Sequence, residues 1–257
     1  MPSKPSPDQN LARARRLLDE APQVLVLTGA GVSAESGVPT FRGEDGLWKN
    51  FRPEELATPQ AFARDPDLVW EWYAWRRARL AGCEPNAAHL ALARWMASRP
   101  GVTLVTQNVD GLHEAAARAV TDELGGAREL PAPIKLHGSI VHDRCTGCDH
   151  HAPASEWNGT IPTCPGCGAA LRPDVVWFGE TLPADQFAMA SRAASRAGAC
   201  LVVGTSGVVY PAAGLAHEAR SAGATLMVVD PGPTALDPNA DVLLRGPAGA
   251  VLPRLFG

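Results

Sequence analysis

Val24-Leu25-Val26-Leu27-Thr28 runs directly into Gly29-Ala30-Gly31-Val32-Ser33-Ala34, and this stretch decides the fold. The apolar run predicts a buried strand, and the small residues after it predict a tight turn into a helix. Glycines let the backbone approach a pyrophosphate closely, and amide N–H groups at a helix N-terminus stabilise its charge. The spacing G-x-G-x-x-A is related to the dinucleotide-binding fingerprint, although a tight turn without a ligand gives the same pattern.

Further apolar runs alternate with helical patterns, which is typical of a parallel sheet covered on both faces. The predicted strands are Val24–Thr28, Val102–Thr106, Ile134–Leu136, Val175–Phe178, Cys200–Val203 and Thr225–Val229. Ligands of open parallel sheets lie beyond the carboxyl ends of the strands. We therefore expect the polar residues after these strands to converge on one crevice.

Composition restricts the class of protein. The chain has 257 residues, 46% of them hydrophobic, which allows one large domain carrying a smaller inserted one. A net charge of −4 gives no reason to expect nucleic-acid binding. The first residues lack the apolar core of a secretory signal, and glycines and a proline interrupt the uncharged stretch 197–216. We expect a cytoplasmic protein that does not insert into membranes.

Two Cys-x-x-Cys pairs, with 15 residues between them, have the spacing of a tetrahedral zinc site. The four predicted ligands are Cys145, Cys148, Cys164 and Cys167. A redox pair or unrelated thiols are the alternatives. Four thiolates leave no open coordination position, so the predicted zinc is structural. Cys83 and Cys200 stand apart and are interpreted as unligated.

Two segments interrupt the alternating pattern and predict a second, smaller domain. Residues 48–96 are helical and rich in Trp, and residues 139–171 carry the paired cysteines and few apolar residues. We assign both to a small helical and zinc-binding domain. Residues 8–47, 97–138 and 172–257 are assigned to a Rossmann-like nucleotide-binding domain, and residues 1–7 to a disordered tail.

Four elements in this order resemble the sirtuin family of NAD-dependent protein deacylases. They are the glycine-rich turn, Thr106-Gln107-Asn108-Val109-Asp110-Gly111-Leu112-His113, Leu136-His137-Gly138, and the two cysteine pairs. The resemblance implies NAD as co-substrate and acylated lysine side chains of other proteins as substrates. The implied NAD-binding residues are Gly29, Ala30, Gly31, Ser33, Phe41, Arg42, Trp48, Gln107, Asn108, Asp110, Gly204, Thr205, Ser206, Asp230 and Ala248.

The resemblance also implies the chemistry. The amide oxygen of the acyl-lysine attacks the nicotinamide ribose carbon, and nicotinamide leaves. His137, the implied catalytic base, then activates a ribose hydroxyl, and the acyl group ends on ADP-ribose. The segment 172–180 resembles the strand that pairs with an extended acyl-lysine peptide, which makes Val176, Phe178 and Gly179 substrate-contacting positions.

Tyr73 and Arg76 indicate which acyl group is removed. At i, i+3 spacing they share one helix face, and a guanidinium beside a phenol suits the terminal carboxylate of a malonyl, succinyl or glutaryl group. A solvated basic face with a core aromatic is the alternative. The Tyr-x-x-Arg pair and Ala57 resemble the class III signature, in which a small residue leaves room for a long acyl chain.

Three positions depart from the family pattern. Lys135 stands where Glu is more frequent, Asp230 where an Asn contacts the adenosine ribose, and Gly207 where Ser is frequent. These departures bear on NAD affinity. The predicted protein is an α/β enzyme that removes succinyl, malonyl and acetyl groups from lysine. Plain deacetylation, ADP-ribosyl transfer to protein and a non-catalytic NAD sensor are the alternatives.

Overall fold

The computed structural model describes residues 6–39, 53–126 and 129–257. Within these ranges a six-stranded parallel sheet has the order β3-β2-β1-β7-β8-β9. Its strands are β1 (Val24–Thr28), β2 (Val102–Thr106), β3 (Ile134–Lys135), β7 (Ala199–Val203), β8 (Thr225–Val229) and β9 (Val242–Leu244). The order reverses beside β1, which creates the topological switch point where ligands of such sheets bind.

Strand register brings the predicted site loops to one level. Thr28 at the end of β1 is paired with Thr106 of β2 on one side and with Val203 of β7 on the other. The residues that follow therefore leave the sheet together at its carboxyl edge. Every residue of β1 and β7 is buried, as expected for strands covered on both faces.

Helices cover both faces of this sheet. One core joins the sheet to α1 (Pro7–Glu20), α5 (Ala87–Ser98) and α9 (Ala248–Phe256). The opposite core joins it to α7 (Ala184–Arg196) and α8 (Gly214–Ser221). Helix α6 (Leu112–Glu123) packs beside α5.

A smaller module stands beside the carboxyl edge of the sheet. It contains α2 (Pro53–Leu56), α3 (Pro59–Arg64) and α4 (Pro66–Leu80) together with an antiparallel sheet of order β5-β4-β6. The strands of that sheet are β4 (Gly138–Cys145), β5 (His151–Pro153) and β6 (Leu171–Val175). Pro59 and Pro66 begin their helices as N1 residues, with Thr58 and Asp65 as the caps. The predicted α/β fold with a small inserted helical and cysteine-bearing unit is confirmed.

Four details of the prediction differ from the structure. Helix α5 was placed in the small domain, but Leu92, Trp95 and Met96 pack into the core of the large sheet. The predicted strand Val175–Phe178 is wrong, because the strand is β6 and pairs antiparallel with β4. Residues 172–175, which the sequence pattern assigns to the large domain, therefore lie in the sheet of the small module. Strands β4, β5 and β9 are absent from the predicted set.

The fourth difference is at the N-terminus. Ser6 and Gln9 form a capping box, and α1 begins at Pro7, so the predicted tail does not include these residues. Residues 1–5 of that tail lie outside the described residues. In the part of the chain that the structure describes, every helix is too short or too polar to cross a bilayer.

Candidate active site

The glycine-rich turn after β1 packs directly against the loop after β7. The N–H of Gly31 donates to the carbonyl oxygen of Gly204 over 2.8 Å. A Cβ on Gly204 would lie 2.4 Å from the backbone nitrogen of Val32, and one on Gly31 would lie 2.7 Å from the Cα of Gly204. Gly204 also has φ +61°, which L side chains rarely adopt. Both loops therefore need glycine in order to meet at the switch point.

A buried serine ties the turn to the loop after β2. Ser33, in the 3₁₀ helix Ala30–Ser36, donates to Asp110 Oδ2 over 2.7 Å and accepts from Asn108 Nδ2 over 3.1 Å. Burial raises the pKa of Asp110, while bonds from the Leu112 N–H and Ser33 lower it. The predicted residues Ser33, Asn108 and Asp110 thus form one hydrogen-bonded cluster.

Two buried histidines lie beside this cluster, one in contact with Ser33 and the other with Thr28. His89 Nε2 lies 3.3 Å from Ser33 Oγ, and His113 Nε2 lies 2.9 Å from Thr28 Oγ1. Burial lowers the pKa of His89 to about 4 and that of His113 to about 3, so both are neutral near pH 7. The N–H of Asn86 donates to His89 Nδ1, so a neutral His89 carries its proton on Nε2 and donates it to Ser33.

His137 follows β3 and faces the same edge of the sheet. Its Nδ1 lies 2.9 Å from the carbonyl oxygen of Gln107, an acceptor, so Nδ1 carries the proton and Nε2 carries the lone pair. Burial lowers the pKa of His137, and the bond to Gln107 opposes that shift. Gln107 in turn donates from Nε2 to Thr205 Oγ1 over 3.2 Å. The imidazole is thereby fixed in the tautomer of a proton acceptor.

The remaining described NAD-side positions lie at the ends of β7 and β8 and at the start of α9. Thr205 and Ser206 continue the loop of Gly204, and both are half-buried. Asp230 Oδ1 accepts from the N–H of Gly232 over 2.9 Å, and burial raises the pKa of Asp230. Ala248 is the first residue of α9 and is buried. Ala30, in the turn after β1, is half-buried.

Two of the departures from the family pattern have local explanations. Lys135 Nζ lies 3.0 Å from Glu114 Oε1, so its charge is paired. Gly207 has φ +72°, and a Cβ there would lie 2.7 Å from Leu236 Cγ, so a serine at this position would meet the Leu236 side chain.

Tyr73 and Arg76 lie side by side within the small module. Tyr73 is completely buried, and 7% of Arg76 is exposed. The guanidinium carbon lies 5.3 Å from the centroid of the Tyr73 ring and 4.8 Å from that of Trp72. Burial lowers the pKa of Arg76, whereas Tyr73 and Asp110 raise it. Ala57 is buried in the same apolar cluster as Tyr73.

The segment after β6 forms hydrogen bonds both to His137 and to Ala57, which lies in the cluster of Tyr73. The N–H of Val176 donates to the His137 carbonyl over 3.0 Å, and the N–H of Phe178 donates to the Ala57 carbonyl over 2.9 Å. Half of Phe178 is exposed, and Gly179 has φ +88°. The predicted substrate residues are therefore contiguous with the predicted base.

The four predicted zinc ligands form one cluster. The Sγ atoms of Cys145 and Cys167 are 3.5 Å apart, those of Cys148 and Cys164 are 3.7 Å apart, and all four lie within 4.8 Å of one another. Four thiolates at about 2.3 Å from a tetrahedral zinc are about 3.8 Å from each other. The cluster fits one structural zinc ion.

Three predicted cofactor residues, Phe41, Arg42 and Trp48, lie outside the described residues. No sequence pattern predicts a role for His89 or His113, although His113 belongs to the segment 106–113 that resembles the sirtuin motif. The Asn86-x-x-His89 spacing of a capping box marks the start of α5, but nothing in it points to Ser33.

The chain is similar to known proteins along nearly its whole length. The Sir2 family model matches residues 29–211. An NAD-dependent protein deacylase of Ralstonia nicotianae is 48% identical over 258 residues, covering 100% of both chains. One of Pyrococcus furiosus is 45% identical over 252 residues, covering 95% of this chain and 96% of the relative.

Solved structures agree with these relatives. A Sir2 homologue in complex with NAD has a TM-score of 0.83 at 45% identity, covering 95% of this chain and 92% of that one. Sir2Af2 bound to a myristoylated histone peptide has a TM-score of 0.75 at 34% identity, covering 97% and 95%. By sequence, fold and arrangement of the crevice, the chain belongs to the Sir2 family.

Proposed function

We propose that the chain is an NAD-dependent protein-lysine deacylase that prefers acidic acyl groups such as succinyl and malonyl and also removes acetyl. The products are the free lysine, nicotinamide and 2'-O-acyl-ADP-ribose. Family membership and the relatives named NAD-dependent protein deacylase support the general reaction. The observation that carries the acyl preference is the buried pair of Tyr73 and Arg76, in the module that also holds the segment after β6.

The carboxyl edge of the sheet is suited to hold NAD. Gly31 and Gly204 pack backbone to backbone and form a surface without side chains. The phosphates of a dinucleotide could approach the main chain closely at such a surface. Asp230 would accept hydrogen bonds from ribose hydroxyls, and Asp110 from the carboxamide NH₂. His89 contacts Ser33, which bonds to Asp110, so a neutral His89 would add no positive charge beside the nicotinamide.

His137 would act as the general base. Because its Nδ1–H is given to the Gln107 carbonyl, the free lone pair on Nε2 is available to take a proton from a ribose hydroxyl. Burial disfavours the imidazolium form and keeps the ring ready to accept that proton at neutral pH.

The peptide would bind along residues 176–179. The N–H groups of Val176, Trp177 and Phe178 already donate within the chain, to His137, Glu180 and Ala57. A peptide adding as a strand would therefore donate its own N–H groups to carbonyl oxygens of this segment. The lysine side chain would then enter beside His137, with its acyl group directed toward Ala57 and Tyr73.

The carboxylate of an acidic acyl group would contact the guanidinium of Arg76, which is largely shielded from water. A carboxylate reaching Arg76 would lose much of its hydration, and the guanidinium would replace it with charge-assisted hydrogen bonds. An acetyl group has no charge to contribute. The small side chain of Ala57 leaves room for the longer chain.

Substitution of Arg76 tests the proposal. Truncating one partner of a desolvated charge pair costs about 2–5 kcal/mol, so Arg76→Met should lower kcat/KM for succinyl-lysine by about 30-fold or more. The rate of deacetylation should stay within a few-fold. Arg79→Met is the matched control, because Arg79 lies on the same helix, is exposed and stacks on Trp75. An unchanged ratio of desuccinylation to deacetylation in Arg76→Met would contradict the acyl preference.

A further inference from the structure

The indole of Trp177 is held from both sides. The guanidinium carbon of Arg172 lies 3.2 Å from the ring centroid, and the Phe62 ring packs at 5.3 Å with a tilt of 41°. Only 3% of Trp177 is exposed. A large aromatic side chain in such a site has one orientation, so the direction of its N–H is fixed.

An ion-pair network fixes the backbone beneath this ring. Arg172 donates to both carboxylate oxygens of Glu180, over 2.5 and 3.1 Å, and Arg144 donates to the same carboxylate. Glu180 Oε2 accepts the main-chain N–H of Trp177 over 2.8 Å. Arg172 also donates to the carbonyl of Val175 over 2.6 Å. Main chain and side chain of Trp177 are thus anchored to the same group of charges.

The fixed indole N–H points at the candidate acyl-recognition residue. Trp177 Nε1 donates to Tyr73 Oη over 2.9 Å. Burial raises the pKa of Tyr73, so the phenol is neutral and keeps its hydrogen. A phenolic hydrogen prefers one of two positions in the ring plane. Because the indole N–H approaches one side of the oxygen, the hydrogen of Tyr73 is directed to the other side.

We propose that Trp177 is a positioning residue for acyl specificity: its indole N–H orients the Tyr73 hydroxyl so that this hydroxyl donates to the carboxylate of an acidic acyl group. The inference rests on the proposed function and adds a specificity residue to it. Trp177 acts through Tyr73 and makes no contact with the acyl carboxylate. The ring contributes packing, and the N–H contributes selectivity.

The test separates the N–H from the ring. Trp177→Phe keeps an aromatic ring between Arg172 and Phe62 and removes the donor. We expect kcat/KM for a succinyl-lysine peptide to fall about two- to tenfold, mainly through KM, because one hydrogen bond is lost. Both peptides bind along the segment that contains Trp177, so the decisive quantity is the ratio of the two kcat/KM values, and we expect the succinyl-to-acetyl ratio to fall.

A double-mutant cycle with Tyr73→Phe tests the route of the effect. If Trp177 acts through the Tyr73 hydroxyl, Trp177→Phe should add nothing to Tyr73→Phe for the succinyl peptide. Trp70→Phe is the matched control, because its buried Nε1 donates to the Leu171 carbonyl over 3.1 Å, away from Tyr73. It removes an equivalent bond and should leave the succinyl-to-acetyl ratio unchanged.

Three results would overturn the inference. Equal losses for both peptides in Trp177→Phe would show a structural role, and additive effects in the cycle would show that Trp177 does not act through Tyr73. A wild-type enzyme without preference for succinyl-lysine would refute the proposed function itself, and with it this inference. The wild-type measurement alone identifies that last case.

A spectroscopic measurement applies even if Trp177→Phe folds poorly. In the wild-type protein the Trp177 indole N–H resonance should shift when a succinyl-lysine peptide is added with NAD analogue, and much less with an acetyl-lysine peptide. Tyr73→Phe should move the resonance in the free protein, because the acceptor is lost. An indole signal that responds equally to both peptides would contradict the proposal.

Discussion

At the scale of single residues, burial favours the neutral form of two imidazoles in the candidate site. His89 and His137 are both buried enough that burial lowers their pKa, and each carries one proton on a nitrogen that its neighbours determine. In His89 that proton is donated to Ser33, whereas in His137 it is donated to the Gln107 carbonyl. The same physical effect therefore produces a donor in one place and a proton acceptor in the other.

Replacing His137 should abolish turnover but not NAD binding. His137→Ala removes the proposed proton acceptor and should reduce acyl-ADP-ribose formation by roughly two to four orders of magnitude. In the wild type, activity should persist below the usual histidine pKa and fall as the pH drops through the lowered pKa of His137, because the protonated ring cannot accept a proton. Product formation by mass spectrometry and NAD binding by calorimetry measure the two effects.

His142→Ala is the control for that substitution. His142 lies on β4, is exposed and contacts Ser139 Oγ at 3.2 Å. Its removal should leave turnover within a few-fold. Near-normal activity in His137→Ala would show that another group takes the proton.

At the scale of secondary-structure elements, the loops after β1 and β7 form one unit. Gly31 and Gly204 touch backbone to backbone, and the carbonyl of Gly204 accepts the Gly31 N–H. The conformation of each loop is therefore constrained by the other. A change in either one is therefore expected to affect NAD binding and stability together.

Gly204→Ala should disrupt this unit. The left-handed backbone alone costs an L residue about 1–2 kcal/mol, and the contact with Val32 adds about 1–3 kcal/mol of overpacking. Gly125→Ala provides the control, because Gly125 has φ +78° and open space around it. Denaturant unfolding should show the larger loss for Gly204→Ala, together with weaker NAD binding. Equal losses in the two variants would mean that the loops relax freely.

The cysteine-bearing strands should need their metal. Metal analysis should find about one zinc per chain, and Cys145→Ser should lower the zinc content and the Tm. Cys83→Ser is the control, since Cys83 lies outside the cluster and donates to the Arg79 carbonyl. An unchanged Tm in Cys145→Ser, or in chelator-treated protein, would disprove a structural zinc.

At the scale of the whole molecule, local patterns predicted the large sheet better than the small module. The strands β1, β2 and β8 have the predicted bounds because each is a largely buried apolar run, which ends at a threonine in β1 and β2 and is followed by Asp230 in β8. Helix α5 was misassigned because its Trp95 continues the Trp-rich composition of the preceding segment, while its packing partners are in α9 and the sheet. Strand β9 has three residues, too few for a periodic signal.

The site was predictable where neighbours in sequence are neighbours in space. Tyr73 and Arg76 share a helix face by spacing alone, and the paired cysteines identify their own cluster. The bond between Trp177 and Tyr73 joins residues 104 positions apart, and that between Ser33 and Asp110 joins residues 77 apart. The first contact depends on the packing of α4 against the segment after β6, and the second on the pairing of β1 with β2, so no local pattern reveals either of them.

The carboxyl edge of the sheet and the small module are joined by the segment after β6, which contacts both His137 and Ala57. This segment connects the proposed base with the proposed acyl pocket. The central claim is that one crevice combines NAD-dependent deacylation with recognition of an acidic acyl group.

Analysis of the reaction products tests that claim most directly. The wild-type protein should be incubated with NAD and a succinyl-lysine, acetyl-lysine or unmodified peptide, and the small molecules identified by mass spectrometry. We expect nicotinamide and 2'-O-succinyl-ADP-ribose in equal amounts, with kcat/KM higher for succinyl-lysine than for acetyl-lysine, and no product from the unmodified peptide. Faster acetyl removal, ADP-ribose attached to the unmodified peptide, or no NAD consumption would contradict it.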